Sequence, residues 1–360
     1  MNSRRIVDVD PQSDSRWQAF VASHPDALVF HHPAWLAALE EAYGYRPHHL
    51  ACENREHEIV GILPLVYKRG LVTGRTFSSL PHSLAAGPLA ADAAAATLLV
   101  EGAVDRARDR RNARLQLRTW DPGLDSIAPA MAGRPGVGMY VLRLPDSSQE
   151  LRFGDSRNHG AIKRAVQKAA NAGVRIRAAE DDRDLREWYR LYIDTMRTHG
   201  AVAHSYRFVD ALWQLLRPHG LVELLLAEGP GRDGGLLAGS LFLRWGKSSV
   251  FFALNGRRPD ALPLRPNDAI HWRAIHDAWR DGVREYNLGG AEGNPGLVRF
   301  KRKWGAEPHR LYRYYFPSPH DSTLTLSRLD NPVARMATTT WKHLPTRAVE
   351  RLGDLLYRYA

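Results

Sequence analysis

Apolar residues along the chain recur with two periods, one helical and one alternating, that trade places repeatedly. Trp17, Phe20 and Val21 mark a short helical face. A second helix starts in His31-His32-Pro33-Ala34-Trp35-Leu36, with Pro33 where a first turn tolerates it, and stops at Gly44. Arg46–Glu53 and Glu58–Lys68 read as two strands around the polar turn Asn54-Arg55-Glu56-His57. A strand near Thr76–Leu80, a helix over Ala91–Arg110, a strand over Ala113–Trp120 and a strand over Met139–Leu144 complete the first half.

Gly154-Asp155-Ser156 supplies the N-cap of the next helix, whose apolar face is Ile162, Ala165, Val166 and Ala169 and which Gly173 stops. A strand over Val174–Ala178 follows, then a helix striped by Leu185, Trp188, Tyr189, Tyr192 and Met196 up to Gly200, and another over Tyr206–Leu216. Leu221–Glu228 and Leu236–Arg244 form a hairpin, and Ser248–Leu254 adds a strand. Pro266 or Asn267 opens a helix with Trp272, Ile275 and Trp279 on one face; Gly282 ends it before the strand Val283–Leu288. This order repeats that of the first half, with Glu58–Leu65 in the slot of Leu236–Leu243. The pattern predicts two α/β domains of one type, residues 1–150 and 151–317, each a mixed twisted sheet flanked by helices. Residues 318–360 are expected to form a basic, amphipathic helical tail.

The turn after the last of these strands is where open α/β sheets place ligands. Here the chain reads Tyr286-Asn287-Leu288-Gly289-Gly290, and shortly afterwards Gly296-Leu297-Val298-Arg299-Phe300-Lys301-Arg302-Lys303-Trp304-Gly305. This pair of segments resembles the closing signature of the FemAB/FemX-like branch of the GNAT acyltransferase superfamily, and the resemblance extends over roughly residues 15–316. It implies tandem GNAT domains with the ligand cleft between or beside them. It also implies transfer of an aminoacyl group from aminoacyl-tRNA to an amine of a cell-envelope precursor, with Lys301 as the catalytically important lysine. Other members of the branch are associated with exopolysaccharide production. Where the family has Asp before Leu-Gly-Gly, this chain has Asn287.

Acyl transfer to an amine needs stabilisation of a developing oxyanion or of the departing ribose hydroxyl, and a cation in a low-dielectric cleft meets that need. Lys301 is the candidate for this role, with Phe300 as a ring that positions its ammonium. Arg157, Asn158 and Lys163 open a helix, where free N–H groups and the dipole suit phosphate. Asn255, Arg265, Asn267 and Tyr286 are further substrate-binding candidates. The segment Leu262-Pro263-Leu264-Arg265-Pro266-Asn267 stands where acetyl-CoA-dependent GNAT enzymes carry a glycine-rich pyrophosphate loop, and its prolines remove N–H donors. The expected co-substrate is therefore aminoacyl-tRNA, with acyl-CoA in exopolysaccharide synthesis as the alternative and no bound cofactor. A non-catalytic scaffold in envelope assembly is a third reading.

Fifty Lys and Arg against 39 Asp and Glu give a formal charge of +11, a field suited to tRNA, nucleotide-linked precursors or anionic lipid headgroups; DNA is not expected. Cys52 is the sole cysteine, which excludes an internal disulfide and suits a reducing compartment. The N-terminus lacks an apolar leader core, and the Ala-rich run near residues 90–104 is too short to span a bilayer, so the expected location is cytoplasmic with peripheral membrane contact through the tail. The pairs His31-His32 and His48-His49 lack metal-ligand spacing and read as structural. Glu223 and Glu292 are unanchored candidates for a general base.

Overall fold

The computed structural model describes residues 4–70, 74–231, 234–291, 294–318 and 341–359. A small antiparallel sheet has the order β1 (Arg5–Asp8), β3 (Leu50–Glu53), β4 (Ile59–Leu63), β7 (Leu89–Ala90). The remaining strands join in one eleven-stranded sheet. From one edge it runs β10 (Arg175–Ala178), β11 (Val222–Glu228), β12 (Leu236–Trp245), β13 (Ser249–Arg257), β14 (Glu285–Gly290) and β9 (Ala132–Arg143). It continues through β15 (Glu307–Phe316), β8 (Ala113–Thr119), β6 (Gly74–Ser78), β5 (Val66–Gly70) and β2 (Arg46–Pro47).

The tandem design is visible in how each half makes its one parallel pair. β6 and β8 are parallel and joined through helix α3 (Ala93–Asp109); β13 and β14 are parallel and joined through α8 (Pro266–Arg280). The remaining helices are α1 (Ser15–Ser23), α2 (Pro33–Tyr43), α4 (Leu124–Ile127), α5 (Ser156–Asn171), α6 (Asp182–His199), α7 (Tyr206–Leu216), α9 (Pro295–Lys303) and α10 (Thr346–Tyr359).

Two expected strands are each broken where the chain passes from the small sheet to the large one. Pro64 has no N–H to continue a ladder. Beside it, Leu65 N donates to His49 Nδ1 (3.1 Å) and His48 N donates to Leu65 O (2.9 Å), so both strands step out of register with the small sheet together.

The strand expected over Met139–Leu144 begins at Ala132 and does not close the first half. β9 lies between β14 and β15, pairing Tyr286 with Leu142 on one side and Tyr314 with Gly133 on the other. β15 then pairs with β8 of the first half. Each half thus lends a strand to its neighbour's sheet, and the change of half at residue 150 does not separate the sheets.

The largest core cluster also crosses between halves. Trp17, Phe30, Trp35 and Tyr43 pack with Trp188, Tyr192, Phe208 and Trp213. A second cluster, around Phe153, Phe242, Tyr286 and Trp304, sits under α5 and α8 and forms the floor of the candidate site.

Candidate active site

β13 and β14 pair in parallel only from Ser249↔Glu285 to Phe251↔Asn287. Beyond that, β13 runs on to Arg257 against β12, while β14 turns towards β9 with a register shift between Asn287 and Gly290. The strands therefore diverge and leave a slot whose backbone groups no longer bond across it. At its mouth Gly289 takes φ +76°, a left-handed value that favours glycine. Asn287 fixes this turn: its side-chain oxygen accepts from Gly289 N at 2.8 Å.

α9 brings Lys301 to the same turn. Its N-cap is Asn294, whose side chain accepts from Leu297 N, and Pro295 occupies the first turn. Of the four cations on this helix, Arg299 and Arg302 are exposed and Lys303 is half-buried, whereas Lys301 is only 2% exposed. Its ammonium donates to Gly290 O at 2.5 Å and stands 5.9 Å from the Tyr140 ring centroid. Burial pushes its pKa down from 10.5 to about 8.

Phe300 does not hold this ammonium. Its ring lies 5.1 Å from Lys303 Nζ and 5.4 Å from the His271 ring, because neighbouring residues on a helix diverge by about 100°. Lys303 in turn pairs at 2.5 Å with Asp268, a buried carboxylate on the first turn of α8. Tyr286, the other aromatic candidate, lies in the core beneath the site. It is fully buried, and its hydroxyl shares a 2.8 Å hydrogen bond with His271 Nδ1. Burial, then the charges of Lys301 and Lys303, pushes His271 down to about 3, so the ring is neutral.

The other sequence candidates surround α8 and α9. Arg265 is exposed at the start of α8 with φ +58°, preceded by a 3-10 helix (Pro259–Leu264) and followed by Pro266; no side chain caps α8. Asn267 is half-buried with its Oδ1 buried and without a hydrogen-bond partner among the described residues. Asn255, on β13 beyond the point of divergence, accepts from Ser240 Oγ at 2.9 Å.

Arg157 and Lys163 are exposed on α5, which adjoins the end of α9: a Cβ on Gly154 would lie 3.4 Å from Lys303 O. The α5 N-terminus is already met by a carboxylate, since Asp155 accepts from Asn158 N at 2.7 Å. Any phosphate there relies on the two cationic side chains.

Of the two base candidates, Glu223 pairs with Arg244 at 3.4 Å, and Glu292 lies outside the described residues. The histidine pairs of the first half are structural: His31 Nδ1 accepts from Leu28 N, and His32 Nδ1 from Ala34 N at the head of α2.

A cleft of about 1070 Å³ opens between the halves. Arg143, Arg284, His309 and Arg310 line it from one side and Pro25, Asp26 and Trp120 from the other, and Asn287 reaches into it. Asn287 therefore joins the cleft to the Gly289-Gly290 turn that anchors Lys301. Sequence reasoning did not find Asp268, His271 or Tyr140. An acidic residue in a helix's first turn is a signal for Asp268, but its partner Lys303 is hidden in the basic run.

Residues 156–302 match the family model described as Acetyltransferase (GNAT) domain. The matched stretch contains Lys301, Asn287, His271 and Asp268. The arrangement of the whole chain is similar to that of FemX, with a TM-score of 0.68 and 14% identity over 90% of this chain and 99% of FemX. It is also similar to the C-terminal domain (DUF2156) of a putative lysylphosphatidylglycerol synthetase from Agrobacterium fabrum, with a TM-score of 0.60 and 16% identity over 88% and 95% of the two chains. A tandem GNAT protein from the clavulanic acid biosynthesis pathway aligns with a TM-score of 0.53 and 14% identity over 89% and 100%. At these identities the likeness is one of fold. No curated protein matches the chain by sequence.

Proposed function

We propose that the protein is an N-acyltransferase that takes an aminoacyl group from aminoacyl-tRNA and delivers it to an amine of a cell-envelope or other precursor. The observation that carries this reading is the buried Lys301 ammonium held at Gly290 O, one turn from Asn287 and the interdomain cleft. The acceptor occupies the cleft, where its arginines suit an anionic precursor. The charged 3′ end of the donor enters from the slot between β13 and β14. The acceptor amine attacks the ester carbonyl, forming the C–N bond; the C–O bond to the ribose breaks, and the amine's proton ends on the ribose oxygen. Lys301 stabilises the oxyanion that develops between these events.

The donor assignment is supported by the start of α8. A diphosphate bound at a helix N-terminus needs several free N–H groups and an uncompensated dipole. Here Pro266 removes one donor, and the buried Asp268 carboxylate already sits in that first turn. The open slot between the diverging strands favours a second reading, acyl-CoA as donor, since it can take an extended arm with amide groups.

Label transfer from charged bulk tRNA and from labelled acetyl-CoA into small amine-bearing metabolites distinguishes the two. RNase-sensitive transfer that falls about 10²–10³-fold in Lys301→Met is expected. Transfer from acetyl-CoA alone would replace the first reading by the second.

A further inference from the structure

Helix α10 has two apolar faces, and among the described residues only one of them is packed against the rest of the chain. On the inner face Val349 is fully buried, and Gly353 lies so close to Ala203 that a Cβ would meet its carbonyl oxygen at 2.3 Å. Tyr357 stacks on His204 at 4.1 Å with ring planes 7° apart, and its hydroxyl donates to Val202 O. Tyr45 OH in turn donates to Tyr357 O. These contacts hold the helix on α6, α2 and β5 and fix its rotation.

The outer face carries Leu352, Leu355, Leu356 and Tyr359, exposed by 39, 48, 42 and 38%. Their spacing of i, i+3, i+4 and i+7 makes one continuous stripe. Among the described residues the only other exposed large hydrophobic side chain is Leu262. Beside the stripe run the exposed Arg347 and Arg351, one turn apart, with Lys342 and His343 exposed just before the helix. Both carboxylates of α10 are engaged within the molecule. Glu350 is half-buried and faces Tyr189, and Asp354 is half-buried and pairs with Arg358.

We propose that α10 docks the protein on an anionic lipid bilayer. Leu352, Leu355, Leu356 and Tyr359 enter the boundary between headgroups and acyl chains, while Arg347 and Arg351 meet lipid phosphates. This goes beyond the transfer reaction and does not depend on which donor is used.

The charge pattern selects a lipid surface over a second copy of the chain. A twofold contact through the stripe would bring like arginine rows together. A stripe on a helix about 21 Å long also falls short of the roughly 1,000 Å² that a specific protein interface needs. A bilayer needs no matching surface.

The test uses the full chain with vesicles of phosphatidylcholine alone or mixed with phosphatidylglycerol, separated by sedimentation. The expected result is binding to the phosphatidylglycerol vesicles that weakens with salt. Arg347→Gln and Arg351→Gln should each weaken it about fivefold. The double variant L352S/L355S should weaken it about tenfold or more with an unchanged thermal melt, since both leucines are already half in water. No binding by the intact chain, equal binding by the leucine variant, or no preference for the anionic vesicles would overturn the proposal. So would a concentration-dependent dimer that the leucine variant dissolves.

Discussion

Among the described residues no carboxylate pairs with Lys301. Its partner is the neutral carbonyl of Gly290, and the position where an acid would stand in the related signature is Asn287, whose oxygen is committed to Gly289 N. The charge is therefore available to a developing anion but is costly to maintain, which is why burial lowers its pKa to about 8. The ammonium is the useful form, so transfer should fall as pH rises through about 8; Lys301→Arg, which holds its charge, should remove that descending limb. The same shift bears on stability. Between about 8 and 10.5 the unfolded chain binds more protons at this site than the folded one. Its contribution is therefore fully favourable above 10.5 and is lost as pH falls through 8. Asn287→Ala should cost about 1 kcal/mol in a denaturant melt and lower transfer by releasing the turn, whereas Asn287→Asp keeps an acceptor for Gly289 N and should be milder. The sequence marked Lys301 through its neighbours Phe300 and Trp304. Spacing alone does not show which of the four cations on α9 is buried, because that depends on the rotation of α9 against β14.

The elements of the site were legible where local chemistry decides and illegible where a partner decides. α7 and the N-cap of α5 follow from spacing and from Asp155, and the structure has them as expected. The breaks at His48-His49 and Pro64 depend on a second sheet that no local pattern announces. The same distinction explains α8. Its proline-rich approach is visible in sequence, but the ion pair that ties its first turn to α9 spans 35 residues. Asp268→Ala should therefore act on both helices. A loss of about 2 kcal/mol in thermal or denaturant unfolding is expected, because Lys303 would keep only partial access to water, and Lys303→Met in that background should restore part of it.

Across the whole molecule, the repeat of helix, hairpin, strand, helix and strand was visible in the hydrophobic pattern, and both parallel pairs bear it out. The exchange of β9 and β15 was not visible. Gly133, Pro135, Gly136 and Gly138 interrupt any alternation in β9, and Gly133 is there because a Cβ would strike the Tyr314 ring at 2.6 Å. The exchange gives the cleft walls a common backbone: Val141 and Arg143 on β9 and His309 and Arg310 on β15 line it from two adjacent strands of one sheet.

A chain in which each half borrows a strand can be cut between them without losing the instructions for reassembly. Cleaved near residue 148, an exposed position between β9 and α5, the two pieces would each present an unpaired strand edge that only the other piece fits. Expressed alone, either piece should aggregate through that edge. Expressed together, they should recover the fold and Lys301-dependent transfer, read as co-purification of two untethered fragments. The protein would then serve as a split reporter whose signal requires both halves of its sheet.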